Sequence, residues 1–188
     1  MTEKELIEGC IKQNREAQRR LYEQFAGKML VVCNRYAPTS AEAEDILQDA
    51  FVKVFEKLHT FRQDCPVGAW IKRIVVNTAL NAIRNRPIEE DISKLEYIDS
   101  ESINEKIILA NFHFEELLAM IRKLPKGCQA IFNLYAIEGY QHHEIAEMLD
   151  LSEGTSKSQY SRAKMLLQAM IKKEETRFEE AKVEKLRR

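Results

Sequence analysis

The chain has 188 residues, 45% of them hydrophobic and 31% charged, with a net charge of −1. That balance excludes an intrinsically disordered chain and leaves room for one large or two small folded domains. No apolar run approaches the roughly 18 residues of a membrane span, and residues 1–5 are too polar to begin a secretory signal, so a cytoplasmic protein without membrane insertion is expected.

Six glycines and four prolines are few. Pro38, Pro66, Pro87 and Pro125 fall between apolar-periodic stretches, which predicts an all-α fold with long uninterrupted helices. Thr2 and Glu5 have capping-box spacing ahead of Leu6, Ile7, Cys10 and Ile11, and residues 15–36 carry Leu21, Phe25, Met29, Val32, Cys33 and Tyr36 at helical intervals. A third helix follows the cap candidates Thr39 and Ser40, with Glu42, Glu44 and Asp45 in its first turn, where the helix dipole favours them. Ile46, Leu47, Ala50, Phe51, Val54, Phe55 and Leu58 make its wide apolar face. Asp45, Gln48, Asp49 and Glu56 are left on the other side, a surface ill-suited to DNA and suited to a protein partner rich in Arg or Lys.

A fourth helix is predicted from about Pro66 to Asn85. Arg73, Asn77, Asn81 and Arg84 fall within about 80° of one another, opposite Ile71, Ile74, Val75, Thr78 and Ala82. Asparagine can pair bidentately with an adenine edge and arginine can hold phosphate, so this stripe could read a strand whose bases have been unstacked. Leu80 interrupts it, and spacing alone does not explain the interruption. Trp70 is either a stacking platform beside the stripe or a core residue. Phe61, Arg62, Gln63 and Asp64 ahead of it could line a base pocket or simply connect two helices.

Charge is segregated. Residues 1–86 carry fourteen Lys/Arg against eleven Asp/Glu, whereas residues 87–116 carry two against nine, so an acidic connector follows a mildly basic segment. With no sustained helical stripe before about Phe112, it reads as a flexible tether. It is either a solvated linker or an acidic strand that imitates nucleic acid and occupies a basic channel.

Residues 138–171 have the pattern of a helix-turn-helix. Ile145, Ala146 and Leu149 face inward from a first helix, Asp150 and Ser152 break it, and Ser152 can cap a second helix whose buried stripe is Tyr160, Ala163, Leu167 and Met170. Lys157, Ser158, Ser161 and Arg162 then face outward, two cations for phosphate and two hydroxyls for base edges, as groove recognition requires. An ordinary helical hairpin is the competing account. The tail KKEETRFEEAKVEKLRR mixes charges at helical spacing, Glu184 and Arg188 among them, and extends the last helix. Cys10, Cys33, Cys65 and Cys128 contain no CxxC pair and read as small buried side chains in a reducing compartment. His143–Glu147 approaches the HExxH zinc pattern, but Glu147 stands where the second histidine belongs, so neither a metal site nor any cofactor is expected, and no enzyme.

The runs AEDILQDAFVKVFEKLHTFR, GAWIKRIVVNTALNAIRNR and LPKGCQAIFNLYAIEGYQHHEIAEMLDLSEGTSKSQYSRAKMLL, separated by an acidic linker, resemble an alternative sigma factor of bacterial RNA polymerase, and more narrowly the extracytoplasmic-function class. The resemblance spans residues 10–171. It implies that the D-x-x-Q-[DE]-x-F match at Asp45, Gln48, Asp49 and Phe51 docks on the clamp coiled coil of the polymerase largest subunit. The W-[IL]-x-R-I-x-x-N match at Trp70, Ile71, Arg73, Ile74 and Asn77 lies where the family melts the −10 element and captures a flipped base. The G-T-x-[KR]-S-x-x-x-R-[AG] match at Gly154, Thr155, Lys157, Ser158, Arg162 and Ala163 belongs to the helix that reads the −35 element. Gln159, Tyr160 and Ser161 are less basic than is common in the family.

The implied organisation is a −10 and polymerase-binding domain over 1–86, an acidic linker over 87–111 that threads towards the active-site cleft and RNA exit path, a −35-binding helix-turn-helix domain over 112–175 and a charged tail over 176–188. Core RNA polymerase and promoter DNA are the implied partners, and the family's anti-sigma inhibitors leave a place for one here. A stand-alone helix-turn-helix regulator is the rival reading. It gives the acidic third helix and the Trp70–Arg84 stripe nothing to do.

Overall fold

In the computed structural model, which describes residues 2–85 and 114–186, the first helix, α1 (Glu3–Ile11), starts at a reciprocal cap. The Thr2 hydroxyl accepts from the Glu5 N–H at 3.3 Å, and the Glu5 carboxylate accepts from the Thr2 N–H at 2.8 Å, satisfying two of the donors that a helix start leaves free. The chain turns through Gln13 in the left-handed region (φ 58°), and Asn14 caps α2 (Arg15–Tyr36) by accepting from the N–H groups of Glu16 and Ala17. This turn is tight. A Cβ on Gly9 would stand 2.8 Å from the Ala17 Cβ, so only glycine allows α1 to lie this close to α2.

Thr39 caps α3 (Ser40–Lys57), its hydroxyl accepting from the Glu42 N–H at 3.2 Å, and Ser40 becomes the first helical residue. A 3₁₀ turn, Leu58–Thr60, and a short loop lead to α4 (Val67–Asn85). Pro66 ends the loop: its carbonyl accepts from Ala69 and Trp70, and α4 follows directly. Helices α2, α3 and α4 pack against one another. Their core is Leu21, Tyr36, Val54, Ile71, Val75 and Val76, each at most 1% exposed, and each fully buried aliphatic chain contributes about 1.5–3 kcal/mol. A polar contact also crosses this interface, Lys53 Nζ donating to the buried Thr78 hydroxyl at 3.3 Å.

The chain divides into two compact units, residues 1–87 and 88–188. The second holds α5 (Phe114–Arg122), α6 (Lys126–Phe132), one π-helical turn (Asn133–Ile137), α7 (His142–Leu149) and α8 (Glu153–Leu186). Its core is Leu118, Ile121, Cys128, Ile131, Leu134, Ile145, Ala163 and Leu167. The fold is all-α, two helical domains, and the tail continues α8 as far as Leu186, as its spacing predicts. The acidic linker of 87–111, the expected helix start at Phe112 and Arg188 lie outside the described residues. No helix among the described residues is long and apolar enough to cross a membrane.

Candidate nucleic-acid interface

Helix α4 is buried over a wide arc and exposed over a narrow one. Arg73, Asn77, Asn81 and Arg84 are exposed, and the Arg84 guanidinium donates to the Asn81 side-chain oxygen at 3.2 Å, so the row is held as a unit at its C-terminal end. Val75, Val76, Thr78, Ala79, Leu80 and Ile83 are buried and span about 200° of the helix. Leu80, which breaks the stripe in sequence, lies only about 20° from the line of Arg73, yet it is 8% exposed. It is the last residue of the buried arc.

Trp70 is half-buried, not core. Its ring meets that of Phe61, also half-buried, at 5.4 Å between centroids with the planes tilted by 46°. Arg62, Gln63, Asp64 and Cys65 are exposed beside the pair, with Gln63 at φ 58°. Gly68 is the second residue of α4, where a Cβ would stand 2.8 Å from the Phe25 ring, so the α4 start can be drawn close to α2. The result is a fixed aromatic ledge at the head of a polar row.

On α3 the expected acidic face is present: Asp45, Gln48, Asp49 and Glu56 are exposed, while Ile46, Leu47, Ala50, Phe51 and Val54 are buried and Phe55 is half-buried; Leu58, expected on the same face, is buried from the 3₁₀ turn that follows. Spacing left one residue of this face unremarked. Val52, 56% exposed, lies between the lines of Asp45, Gln48 and Glu56.

In the second unit α7 ends as the turn of a helix-turn-helix requires. Asp150 takes the left-handed conformation (φ 54°, ψ 55°), which aspartate tolerates, and the Leu151 N–H reaches back to the Ala146 carbonyl at 3.0 Å. Ser152 then caps α8 by accepting from the Thr155 N–H at 3.0 Å. Thr155, Lys157, Ser158, Ser161 and Arg162 are all exposed. The Ser158 hydroxyl donates to the Thr155 carbonyl at 3.0 Å, and Lys157 pairs with Glu153 at 2.7 Å. This pairing holds the Glu153 carboxyl below the usual range, because the lysine hydrogen bond and charge favour its ionised form.

The buried stripe of α8 differs from the expected one. Tyr160, Ala163 and Leu167 are buried as predicted, but Met170 is only half-buried and Ile171 takes the last place. At the other end Ser156 is fully buried. A hydroxyl there is tolerated because it bonds to His142 Nδ1 at 2.9 Å, across the turn. His142 stacks on Tyr135 (4.2 Å, 13°) and meets Tyr160 at 5.8 Å, and Lys164 Nζ lies 5.0 Å from the centre of the Tyr160 ring. This cluster locks α7 to the N-terminal half of α8. Sequence reading missed it, although a histidine, two tyrosines and a serine inside an apolar pattern were the available signal.

Three of the four cysteines are buried as expected, and one is not. Cys10, Cys33 and Cys128 are buried and burial raises each thiol pKa, to about 12 for Cys33, but Cys65 is exposed because it lies in the loop and not on a packed helix face. No group of three or more His, Cys, Asp or Glu that could hold a metal ion occurs among the described residues. Glu144, the would-be zinc-site base, accepts from the Gln141 N–H at 2.7 Å at the start of α7.

An all-helical chain with a capped helix-turn-helix and a second, aromatic-headed polar helix has the features expected of a DNA-binding transcription factor. The Sigma-70 region 2 family matches residues 21–87 and the Sigma-70 region 4 family matches residues 114–167, together more than half of the chain. The ECF RNA polymerase sigma-E factor of Escherichia coli is 29% identical over 175 residues, covering 87% of this chain and 91% of its own. That of Haemophilus influenzae is 25% identical over 185 residues, covering 91% and 96%. Two solved structures share the fold. CnrH in complex with the cytosolic domain of CnrY has a TM-score of 0.51 at 23% identity, covering 89% of this chain and 95% of that one. The sigma factor RpoE in complex with the anti-sigma factor NepR from Bartonella quintana has a TM-score of 0.54 at 22% identity, covering 82% and 96%.

The chain belongs to the sigma-70 family and, within it, to the extracytoplasmic-function class of RNA polymerase sigma factors. It is a transcription initiation factor and not an enzyme, binding core RNA polymerase and promoter DNA and directing the polymerase to promoters.

Proposed function

We propose that the two units divide promoter recognition between them. Residues 1–86 bind the polymerase and open the −10 element, residues 112–175 read the −35 element as duplex, residues 87–111 form the acidic connector, and residues 176–188 form a charged tail. The observation that carries this reading is the pairing of the Phe61–Trp70 ledge with the exposed row Arg73, Asn77, Asn81 and Arg84 on one edge of α4. An aromatic face accepts an unstacked base of any kind, and the asparagines and arginines beside it supply edge and phosphate contacts. Arg62 flanks the ledge. Extruding a base costs a few kcal/mol, and its capture offsets that cost, so the strand can open without ATP hydrolysis by this chain.

In the second unit, Thr155, Lys157, Ser158, Ser161 and Arg162 meet the −35 element in the major groove. On α3, Asp45, Gln48 and Asp49 dock on a basic surface of the polymerase, the clamp coiled coil of its largest subunit, through charge-assisted hydrogen bonds. Mounting both units on one polymerase makes the second DNA contact intramolecular, so neither unit needs high affinity alone. The protein acts in the cytoplasm, where the polymerase is. Two structural neighbours were solved as complexes with CnrY and with an anti-sigma factor, and an inhibitory partner of that kind is proposed here as well.

The test is initiation from a promoter library by core polymerase with and without the purified chain. Start sites that share −10 and −35 sequences only when the chain is present support the reading. Unselective initiation overturns it.

A further inference from the structure

The N-terminal end of α8, proposed to enter the major groove, carries a carboxylate with no part in the proposed −35 contacts. Glu153 is the first residue of the helix, and its side chain is 51% exposed. The cap is already made by Ser152. Glu153 lies about 40° from Lys157, at one edge of the exposed arc that continues through Ser161, Ser158 and Arg162. Lys157 and the helix dipole stabilise this carboxylate in the free chain, but beside phosphates it is an electrostatic disadvantage that a hydrogen-bond donor in the groove would offset. The donors exposed in the major groove are the amino groups of cytosine and adenine.

The ion pair discriminates between these two. Glu153 Oε1 and Lys157 Nζ are 2.7 Å apart, an acceptor and a donor side by side. A C·G pair shows the matching pattern, a cytosine N4 amino donor next to guanine O6, with guanine N7 as a second acceptor beyond it for the lysine. An A·T pair matches less well. The adenine amino is flanked by N7, whose lone pair repels a carboxylate, and the thymine O4 is followed by a methyl group in place of a second acceptor.

We propose that Glu153 and Lys157 act together as one reader of a single C·G base pair in the −35 element, Glu153 accepting from cytosine N4 and Lys157 donating to guanine. This rests on the assignment of α8 to the −35 duplex. Lys157 thereby has a base partner as well as a backbone one, and Glu153 becomes a specificity-determining residue.

The test uses the full chain on core polymerase and a promoter library randomised across the −35 region, for wild type, Glu153→Gln and Glu153→Ala. Glutamine keeps the shape but pairs bidentately with adenine. The wild type should favour cytosine about tenfold at one position. Glu153→Gln should move that preference to adenine, and Glu153→Ala should flatten it, with the other positions unchanged as a control on folding. If both variants change total output but leave the preference pattern intact, Glu153 is only a solvated charge and the inference falls. If the wild type shows no preference anywhere in the window, the −35 assignment falls with it.

Discussion

Helices α4 and α8 both turn polar residues outward, but they do so in opposite ways. Helix α4 is sunk into its unit, with buried residues around about 200° and a single exposed edge. The first three turns of α8 stand clear over a similar arc, with burial confined to the line of Ser156, Tyr160 and Ala163. On the proposed division of labour, the difference follows from what each would meet. A duplex groove admits a whole helix, so a recognition helix must project. An unstacked strand needs a narrow edge and an aromatic face on a rigid base, which an embedded helix provides.

That contrast can be broken one helix at a time. The largest effect is expected from Trp70→Ala, which removes half of the ledge: base stacking of about 1–3 kcal/mol corresponds to a loss of roughly ten- to a hundredfold in strand opening. Fluorescence of 2-aminopurine in the −10 element would report it, with binding to −35 duplex by the holoenzyme unchanged. Arg162→Ala should do the reverse, lowering −35-dependent initiation by about tenfold while leaving a pre-melted template as active as before.

A smaller change tests the lock between α7 and α8. Ser156→Ala deletes the bond to His142 and should cost about 1 kcal/mol, seen as faster amide exchange in α7 and the start of α8 and none in α4. The smallest effect at neutral pH concerns Cys33. Its folded thiol stays protonated to about pH 12 while the unfolded thiol ionises near 9, so its contribution is complete below pH 9 and is lost as pH rises towards 12. Stability measured over that range should fall less steeply in Cys33→Ala. A thiol reagent at pH 8 should label Cys65 rapidly and the other three cysteines only as the fold opens.

Much of this architecture is legible in the residues themselves. The caps at Thr2, Thr39 and Ser152 act locally, through one side chain and a backbone N–H three residues on, so they follow from spacing. The polar edge of α4 and the acidic face of α3 follow from the helical period. What the period does not contain is the breadth of the neighbouring contact. Leu80 lies on the stripe's own line and is buried because two helices, α2 and α3, pack against α4 over a wide arc; Met170 and Ile171 exchange places for a similar reason, one step apart at the edge of a contact. The cluster of Tyr135, His142, Ser156 and Tyr160 depends on a π-helical turn and a chain reversal that bring distant residues together, and no single-helix pattern encodes that.

Dependence on the polymerase is the claim on which the division of labour rests, and it is tested most directly by measuring binding of the full chain to promoter DNA with and without core enzyme. Selective binding and −10 opening that appear only with core are predicted. Tight, sequence-specific binding to the duplex promoter by the chain alone would contradict the account and make the protein an independent regulator.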